Sequence, residues 1–518
     1  MVIPTSALAR QQQPVTFTKQ SKETYNPQVK HTVFTPLTVT DFDPLDASIN
    51  VIVSINEIRA LKTIDLFSNP SFYVKVKIND HVFVSNVWQN MKYVENPNWS
   101  ASCDVPKDKE FVNITIELWN KKDGLLCDIS PDYGNFTQAQ TAELTYSIAT
   151  GIWWGNDDYL GDPSGYGRLN GCDDNSIYQR DRDCELFFNI TQTDFDGDGL
   201  PYWLEVNMYN TSPLINNRGE DAAHTGIPIE WKHTFGVEYI EYGHNQGYYM
   251  IYDPFHWENY TALDEDKDGL NDVEEYKTWQ WGSDPFRQDI FIEIDQMAKG
   301  PNGEGAFVPV QTYDILRTSY AKHNIFWHID DGRLGGGEII PFQLSYTDMD
   351  LSQWYWDYFM HGDANNWRRG VFRWCIITYN YTWAKGFTFA SRINGMFALD
   401  CFLLSTKYHE MRAKIFPIID GCYRRTFNKE LNRACVYAGA MMHETGHTLG
   451  LDNPGVDNGQ TIWPWQMDYW RYKPYRSVMN YGYIYNGLND YSDGSRGKND
   501  FDDWGAIDLT LINPRIHW

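Results

Sequence analysis

From Ile49 onward the chain alternates. Ile49, Val51, Val53 and Ile55 share one face of an extended segment, as do Phe72, Val74, Val76 and Ile78, and Phe111, Ile114, Ile116 and Leu118 continue in the same style. Side chains on a strand point to opposite faces with period two, so short alternating runs separated by turn residues predict an antiparallel β-sandwich over residues 46–150. Residues 1–45 are polar with scattered Pro and Thr, and read as an extended arm. Residues 151–192 are rich in Gly, Asp and Asn and read as an irregular connector. After residue 286 the pattern changes. Asp289–Asp295 (DIFIEID) reads as a buried strand, Tyr313, Leu316 and Tyr320 recur at helical spacing, and Asn324–Asp330 (NIFWHID) reads as a second strand. That alternation predicts an α/β or α+β domain over residues 286–518, so the expected class is a multidomain protein.

Between these two parts lie two acidic loops, in residues 193–285. One places Asp194, Asp196, Asp198, Leu200 and Glu205 at loop positions 1, 3, 5, 7 and 12, and the other places Asp264, Asp266, Asp268, Leu270 and Glu275 likewise, with Asp272 at position 9. Gly199 and Gly269 hold position 6, where the chain bends sharply. Calcium takes six to eight oxygens, and this spacing supplies carboxylates, a backbone carbonyl at position 7 and a bidentate Glu. The loops resemble the DxDxDG calcium modules of extracellular proteins, which implies Ca2+ in a structural role.

The chain carries 43 Lys and Arg against 69 Asp and Glu, a formal charge of −26. Such a surface repels nucleic acid and anionic lipid. No run of apolar residues is long enough to cross a membrane as a helix. Eight cysteines, none in C-x-x-C spacing, and seven N-x-S/T sequons, at Asn98, Asn113, Asn135, Asn189, Asn210, Asn259 and Asn380, point to an oxidising extracellular setting. Neighbouring cysteines suggest local disulfides, 103–127, 172–184, 375–401 and 422–435, one of many possible connectivities. Ser6-Ala7-Leu8-Ala9 resembles the end of a signal peptide, with an apolar stretch expected upstream.

The candidate chemistry sits in Ala440-Met-Met-His443-Glu444-Thr-Gly-His447-Thr-Leu-Gly450. Residues four apart share a helix face, so His443 and His447 can direct their imidazoles at one Zn2+, with Glu444 placed to act as general base on a water. Gly450 is positioned to end the helix, and Ser477-Val478-Met479-Asn480-Tyr481 follows about thirty residues on. Together the H-E-x-x-H-x-x-G segment and the S-x-M-x-Y segment resemble the metzincin zinc metallopeptidases, especially a secreted bacterial and archaeal group with calcium repeats. The likeness covers about residues 286–510. It implies a metzincin-like catalytic domain, protein or peptide substrates, a structural Met479 below the metal, and Tyr481 near it as a zinc or oxyanion partner.

The pattern breaks at the third ligand. Metzincins place His or Asp ten residues after the first His, and here that residue is Asn453. No Glu follows residue 451, so a downstream Glu ligand is excluded, and the last His, His517, lies near the end. Asp457, Asp452 and Asn453 stay open as third ligands. The sandwich resembles the calcium- and lipid-binding C2 domain around Asn96-Pro97-Asn98-Trp99, which implies a possible cell-surface association through it. Asp65, Asp123 and Asp128 are its loop carboxylates, read first as solvated charges. The sequence thus predicts a secreted zinc endopeptidase; the alternative is a catalytically inactive metalloprotease-like surface or assembly protein with structural calcium and zinc.

Overall fold

The computed structural model describes residues 34, 39–65, 68–130, 140–157, 167–174, 177, 179, 181–240, 247–380, 386–388, 400–415, 428–453, 456 and 459–512. Nearly all of the predicted N-terminal arm, with Cys422 and Asp457, lies outside these residues.

The N-terminal half is a sandwich of two antiparallel sheets. Its strands are β1 (Ile49–Ala60), β2 (Phe72–Ile78), β3 (His81–Val84), β4 (Tyr93–Val94), β5 (Trp99–Val105), β6 (Phe111–Asn120), β7 (Leu125–Cys127), β8 (Ala142–Ser147), β9 (Trp153–Gly155), β10 (Arg168–Asn170) and β11 (Cys184–Gln192). One sheet runs β3-β2-β6-β8-β9, and the other runs β10-β11-β1, with β4 and β5 both pairing β1. The alternation has the expected meaning: Ile49, Val51, Val53, Val74, Val76, Ile114 and Ile116 form one core with Leu186, Phe188 and Ile190. Those last three residues correct the predicted boundary. The segment 151–192, expected as a connector, supplies β9, β10 and β11; β11 pairs along an edge of β1, and its alternating residues Leu186, Phe188 and Ile190 join the same core.

The expected disulfide pairings fail in three places. Cys375 and Cys401 belong to cores on opposite faces of one sheet. Cys127 and Cys184 lie together across the β7–β11 junction, their thiols within hydrogen-bonding reach, so neither is placed for Cys103 or Cys172. Cys172 instead donates to Asp183. All seven described cysteines are free thiols in this structure.

Residues 193–285 form a compact connector. It contains α1 (Tyr202–Leu204), α2 (Ile229–Gly236), the hairpin β12 (Val237–Ile240) with β13 (Gly247–Met250), and α3 (Asp272–Thr278). Two small aromatic-rich cores hold it together.

The C-terminal half is built on a mixed sheet. Its elements are β14 (Asp289–Met297), α4 (Gln311–Ala321), β15 (Phe326–Asp330), β16 (Ile339–Ile340), α5 (Asp348–Trp354), β17 (Phe372–Thr378), β18 (Gly386–Thr388), β19 (Cys401–Ser405), α6 (Thr406–Ile415), α7 (Lys429–Thr448) and α8 (Met467–Arg471). Strand order is β15-β14-β17-β19-β18, parallel except for the antiparallel β18 edge, and β16 pairs in parallel with the end of β14. The predicted strands and helix of residues 289–330 are thus β14, α4 and β15. Both faces of this sheet are covered, which is why its strands are nearly continuous apolar runs. Ile290, Ile292, Ile294, Cys375 and Ile377 face α4 and α7, while Phe291, Met297, Trp374 and Ile376 face the other way, over α5.

The sandwich docks on the α/β half through buried polar contacts. Arg168 Nη1 donates to Asn324 Oδ1 at 2.7 Å, Asn170 Nδ2 to the Ala321 carbonyl at 2.7 Å, and Arg317 Nη2 to Glu57 Oε2 at 3.2 Å. Cutting one member of such a set leaves a buried charge or donor without its partner, which is costly.

Candidate metal centres and the histidine helix

Helix α7 presents the histidine pair. Asn428 caps its start, Oδ1 accepting from the amides of Glu430 at 3.0 Å and Leu431 at 3.3 Å. Its interior is small and apolar, and Ala434, Ala438, Ala440, Met441 and Met442 are buried against the sheet. The helix ends as Gly450 predicts. Gly450 adopts φ 83°, the Leu451 amide donates to the Gly446 carbonyl at 2.9 Å, and the Gly450 amide donates to the His447 carbonyl at 3.1 Å. This crossed pair of bonds is the Schellman arrangement, and it needs a left-handed residue at that position.

The same turn orients His447, whose Nδ1–H donates to the Leu451 carbonyl at 2.8 Å. His443 is oriented from below: its Nδ1–H donates to the Val478 carbonyl at 2.9 Å. With the proton on Nδ1, a neutral imidazole carries its lone pair on Nε2, and such a backbone carbonyl partner is the usual support of a metal-binding histidine. The two ring centroids are 4.8 Å apart at 84°. Glu444 is buried beside them, close enough to Cys375 and Tyr485 to push both of their pKa values up, after the larger effect of burial.

Residues 477–481 do lie beneath the helix. A Cβ at Gly446 would stand 2.6 Å from Met479 Sδ and 3.0 Å from Tyr491 Oη, so Met479 packs directly under the turn between the two histidines. The Tyr481 ring lies 5.4 Å from that of His443.

The three candidate third ligands fare differently. Among the described residues no third His, Cys, Asp or Glu joins the imidazole pair. Asp452 is exposed on the turn after the helix. Asn453 is held elsewhere by its amide nitrogen, which donates to Tyr475 Oη at 2.7 Å and Asp503 Oδ1 at 3.0 Å. Asp457 lies outside the described residues. Two oriented imidazoles are donors of the type that zinc accepts.

Both acidic loops close as their spacing predicts. Asp194, Asp196 and Asp198 bring carboxylate oxygens within 4.8 Å of one another, and so do Asp264, Asp266 and Asp268. Gly199 (φ 97°) and Gly269 (φ 94°) make the bends. In each loop the fifth-position Asp accepts from the backbone amide of the Leu two residues on, Leu200 at 2.8 Å and Leu270 at 2.7 Å. Glu205 is fully buried beside the first loop, and burial followed by the charges of Asp198, Asp196 and Asp194 pushes its pKa up to about 8. Several buried oxygens here lack hydrogen-bond partners: both of Asp196, Glu205 Oε2, Asp266 Oδ2 and Glu275 Oε1. Buried acceptors without donors are expensive, and convergent carboxylates of this kind could hold a metal ion.

The second loop gains a carboxylate. Asp272 lies beside the loop residue Glu265, and burial with the charge of Glu265 raises its pKa to about 10. Asp289, the first residue of β14, joins Asp268 and Glu275. Asp268, Glu275 and Asp289 form a fully buried trio, and the Asp289 amide donates to Asp268 Oδ2 at 2.8 Å. In the sequence Asp289 reads only as the end of a strand. A loop-spacing rule cannot find a ligand from beyond the loop, although the acids at 289, 293 and 295 share one face of β14 and carry a period-two signal. Among the described residues the sandwich carboxylates form no such cluster: Asp123 pairs with Arg182, and Asp65 lies 3.8 Å from Lys122.

No protein-family model and no curated protein matches the chain. Solved structures do show partial likeness. A human GIVD cytosolic phospholipase A2 is 12% identical over 28% of this chain and 17% of its own, with a TM-score of 0.17. Extended-Synaptotagmin 2, in a fragment with its SMP domain and a tandem of C2 domains, is 10% identical over 28% of each chain with a TM-score of 0.18. A solved C2 domain is 10% identical over 28% of this chain and 98% of its own, with a TM-score of 0.16. The sandwich assignment itself rests on the strand pairing given above.

Proposed function

We propose that the chain is a secreted zinc-dependent endopeptidase whose peptide-cleaving centre is formed by His443, Glu444 and His447. The observation that carries this reading is the pair of carbonyl-anchored imidazoles one helical turn apart, with a buried carboxylate between them in sequence. A surface helix would leave such rings to solvent; here two separate backbone carbonyls fix them, at the cost of burying one ring and a carboxylate.

His443 and His447 would hold the ion by their Nε2 atoms. Zinc bound there would polarise a peptide carbonyl and make a water acidic enough to attack it near neutral pH. Glu444 takes the proton from that water and returns it to the departing amine. Tyr481, beside His443, is the donor suited to the developing oxyanion. The supporting scaffold is Gly450, which turns the chain so that Leu451 anchors His447, and Met479, which packs under Gly446. The acidic loops hold Ca2+ and stiffen the junction between sandwich and α/β half, with Asp289 extending the second site into β14.

The inactive alternative draws on Asn453, whose amide nitrogen is engaged elsewhere. One experiment separates the two. Casein hydrolysis and zinc content are measured for the wild type and for Glu444→Ala. Zinc in both proteins, with hydrolysis only in the wild type, is expected; zinc in both with hydrolysis in neither refutes the peptidase.

A further inference from the structure

A third acidic group lies on the far side of the sheet from α7. Glu293 and Asp295 project from β14 on the face that carries Phe291 and Met297, away from the histidine helix. Glu338, just before β16, joins them, and the three offer carboxylate oxygens within 4.8 Å of one another. The strand pairing makes this meeting obligatory. The Gln296 amide donates to the Glu338 carbonyl at 3.0 Å, and the Glu338 amide donates to Asp295 Oδ1 at 2.6 Å, so residue 338 is pinned beside residue 295.

Charge does not balance here. Among the described residues Arg368 is the guanidinium paired with the cluster: Nε donates to Glu293 Oε2 at 2.5 Å, Nη2 to Asp330 and Nη1 to the Leu334 carbonyl at 3.2 Å. Asp295 Oδ2 accepts from Trp374 Nε1 at 2.8 Å, and His361 Nε2 stands 3.7 Å from Glu338 Oε1. The guanidinium pairs with Glu293 and Asp330, so its one charge is shared between two carboxylates while Asp295 and Glu338 add two more. Glu293 has a side chain 0% exposed, yet its Oε1 has no hydrogen-bond partner; neither does Glu338 Oε2. A buried carboxylate oxygen without a donor is costly, and Gly336 packs so closely on this side chain that a Cβ there would lie 2.6 Å from Glu293 Oε2. Glu338 remains 34% exposed and leaves one side open to solvent.

We infer that Glu293, Asp295 and Glu338 form a binding site for a hard divalent cation, separate from the histidine pair and from the two acidic loops. The donors are all oxygen, which selects calcium-like or magnesium-like ions over soft metals. Three carboxylates with one open side suit an ion that keeps some of its waters. Its position at the C-terminal end of β14 ties that strand to β16 and to the loop after β15.

The test uses the full chain, stripped with EGTA and dialysed against calcium, with bound ion counted by mass spectrometry. The variant is Glu338→Gln, chosen because the residue is partly exposed and the change preserves shape; circular dichroism confirms folding. The wild type is expected to hold one more equivalent than Glu338→Gln. A companion variant, Asp196→Asn with Asp266→Asn, should lower the count in the loops while keeping the equivalent that Glu338→Gln removes. The difference between wild type and Glu338→Gln does not depend on what the loops bind, so failure of the loop assignment and failure of this one read differently. Equal calcium in wild type and folded Glu338→Gln overturns the site.

Discussion

At Gly439 helix α7 lies against the segment that follows the Met479 turn. A Cβ built there would stand 2.0 Å from the Ile484 carbonyl oxygen and 3.2 Å from Asn489 Oδ1. Ordinary non-bonded contact is about 3.5 Å, so Gly439→Ala must push the backbones apart by about 1.5 Å. At an unencumbered helix position the same change would stabilise by about 1 kcal/mol, through propensity alone. Overpacking a close-packed interior typically costs about 1–3 kcal/mol and occasionally more, and a rigid carbonyl at this distance puts the cost at about 3 kcal/mol. The sign therefore reverses, to a net loss of about 2 kcal/mol. For a domain of this size that lowers the melting temperature by about 4–8 °C. Differential scanning calorimetry reads it. Gly459→Ala is the control, because a Cβ there meets nothing within 4 Å. If Gly439→Ala melts at or above the wild type while Gly459→Ala is unchanged, the close seating of α7 on the 480s segment is wrong.

Other expectations follow from the same contacts. Glu444→Gln should lower the rate of casein hydrolysis by about 10²–10⁴-fold while zinc content is unchanged, since general acid–base groups contribute on that scale; a loss below tenfold argues against its role. His233 is buried with Nε2–H donating to the Thr150 carbonyl at 2.8 Å and Nδ1 accepting from Tyr209 at 2.8 Å, and burial drops its pKa to about 4. Because the folded value lies below the unfolded one, its contribution is whole above about pH 6.5 and is lost as pH falls towards 4, about 3 kcal/mol over the window; urea titrations of wild type and His233→Gln should differ in acid slope, and parallel slopes would count against it. Excess EGTA should lower the melting temperature, as ion-bound loops favour the folded state; an unchanged transition would remove calcium from the loops. Arg168→Met leaves Glu185 buried without its ion-pair partner and removes the bond to Asn324, so a loss of about 3 kcal/mol in denaturant stability is expected.

Much of this protein was readable along the chain because the signals are local. Strand alternation on Ile49–Ile55 and Phe72–Ile78 follows from a period of two and a single buried face. Gly450 ends α7 because only a left-handed residue closes that turn, and the loop acids of 194–198 and 264–268 converge because the bend at Gly199 and Gly269 leaves them no other course. What the linear order could not decide depends on pairing across distance. Leu186, Phe188 and Ile190 joined the sandwich because β1 had an edge to pair, a fact held by β1 and not by residues 151–192. Asp289 reached the second loop through the packing of β14 against the connector. Cys375 and Cys401 were separated by sheet register, which sets adjacent strands so that these two side chains point to opposite cores. Local patterns fix what a segment can become, since they encode backbone preference and one buried face; only the fold chooses its partners, since a contact's energy belongs to two surfaces that the sequence lists far apart.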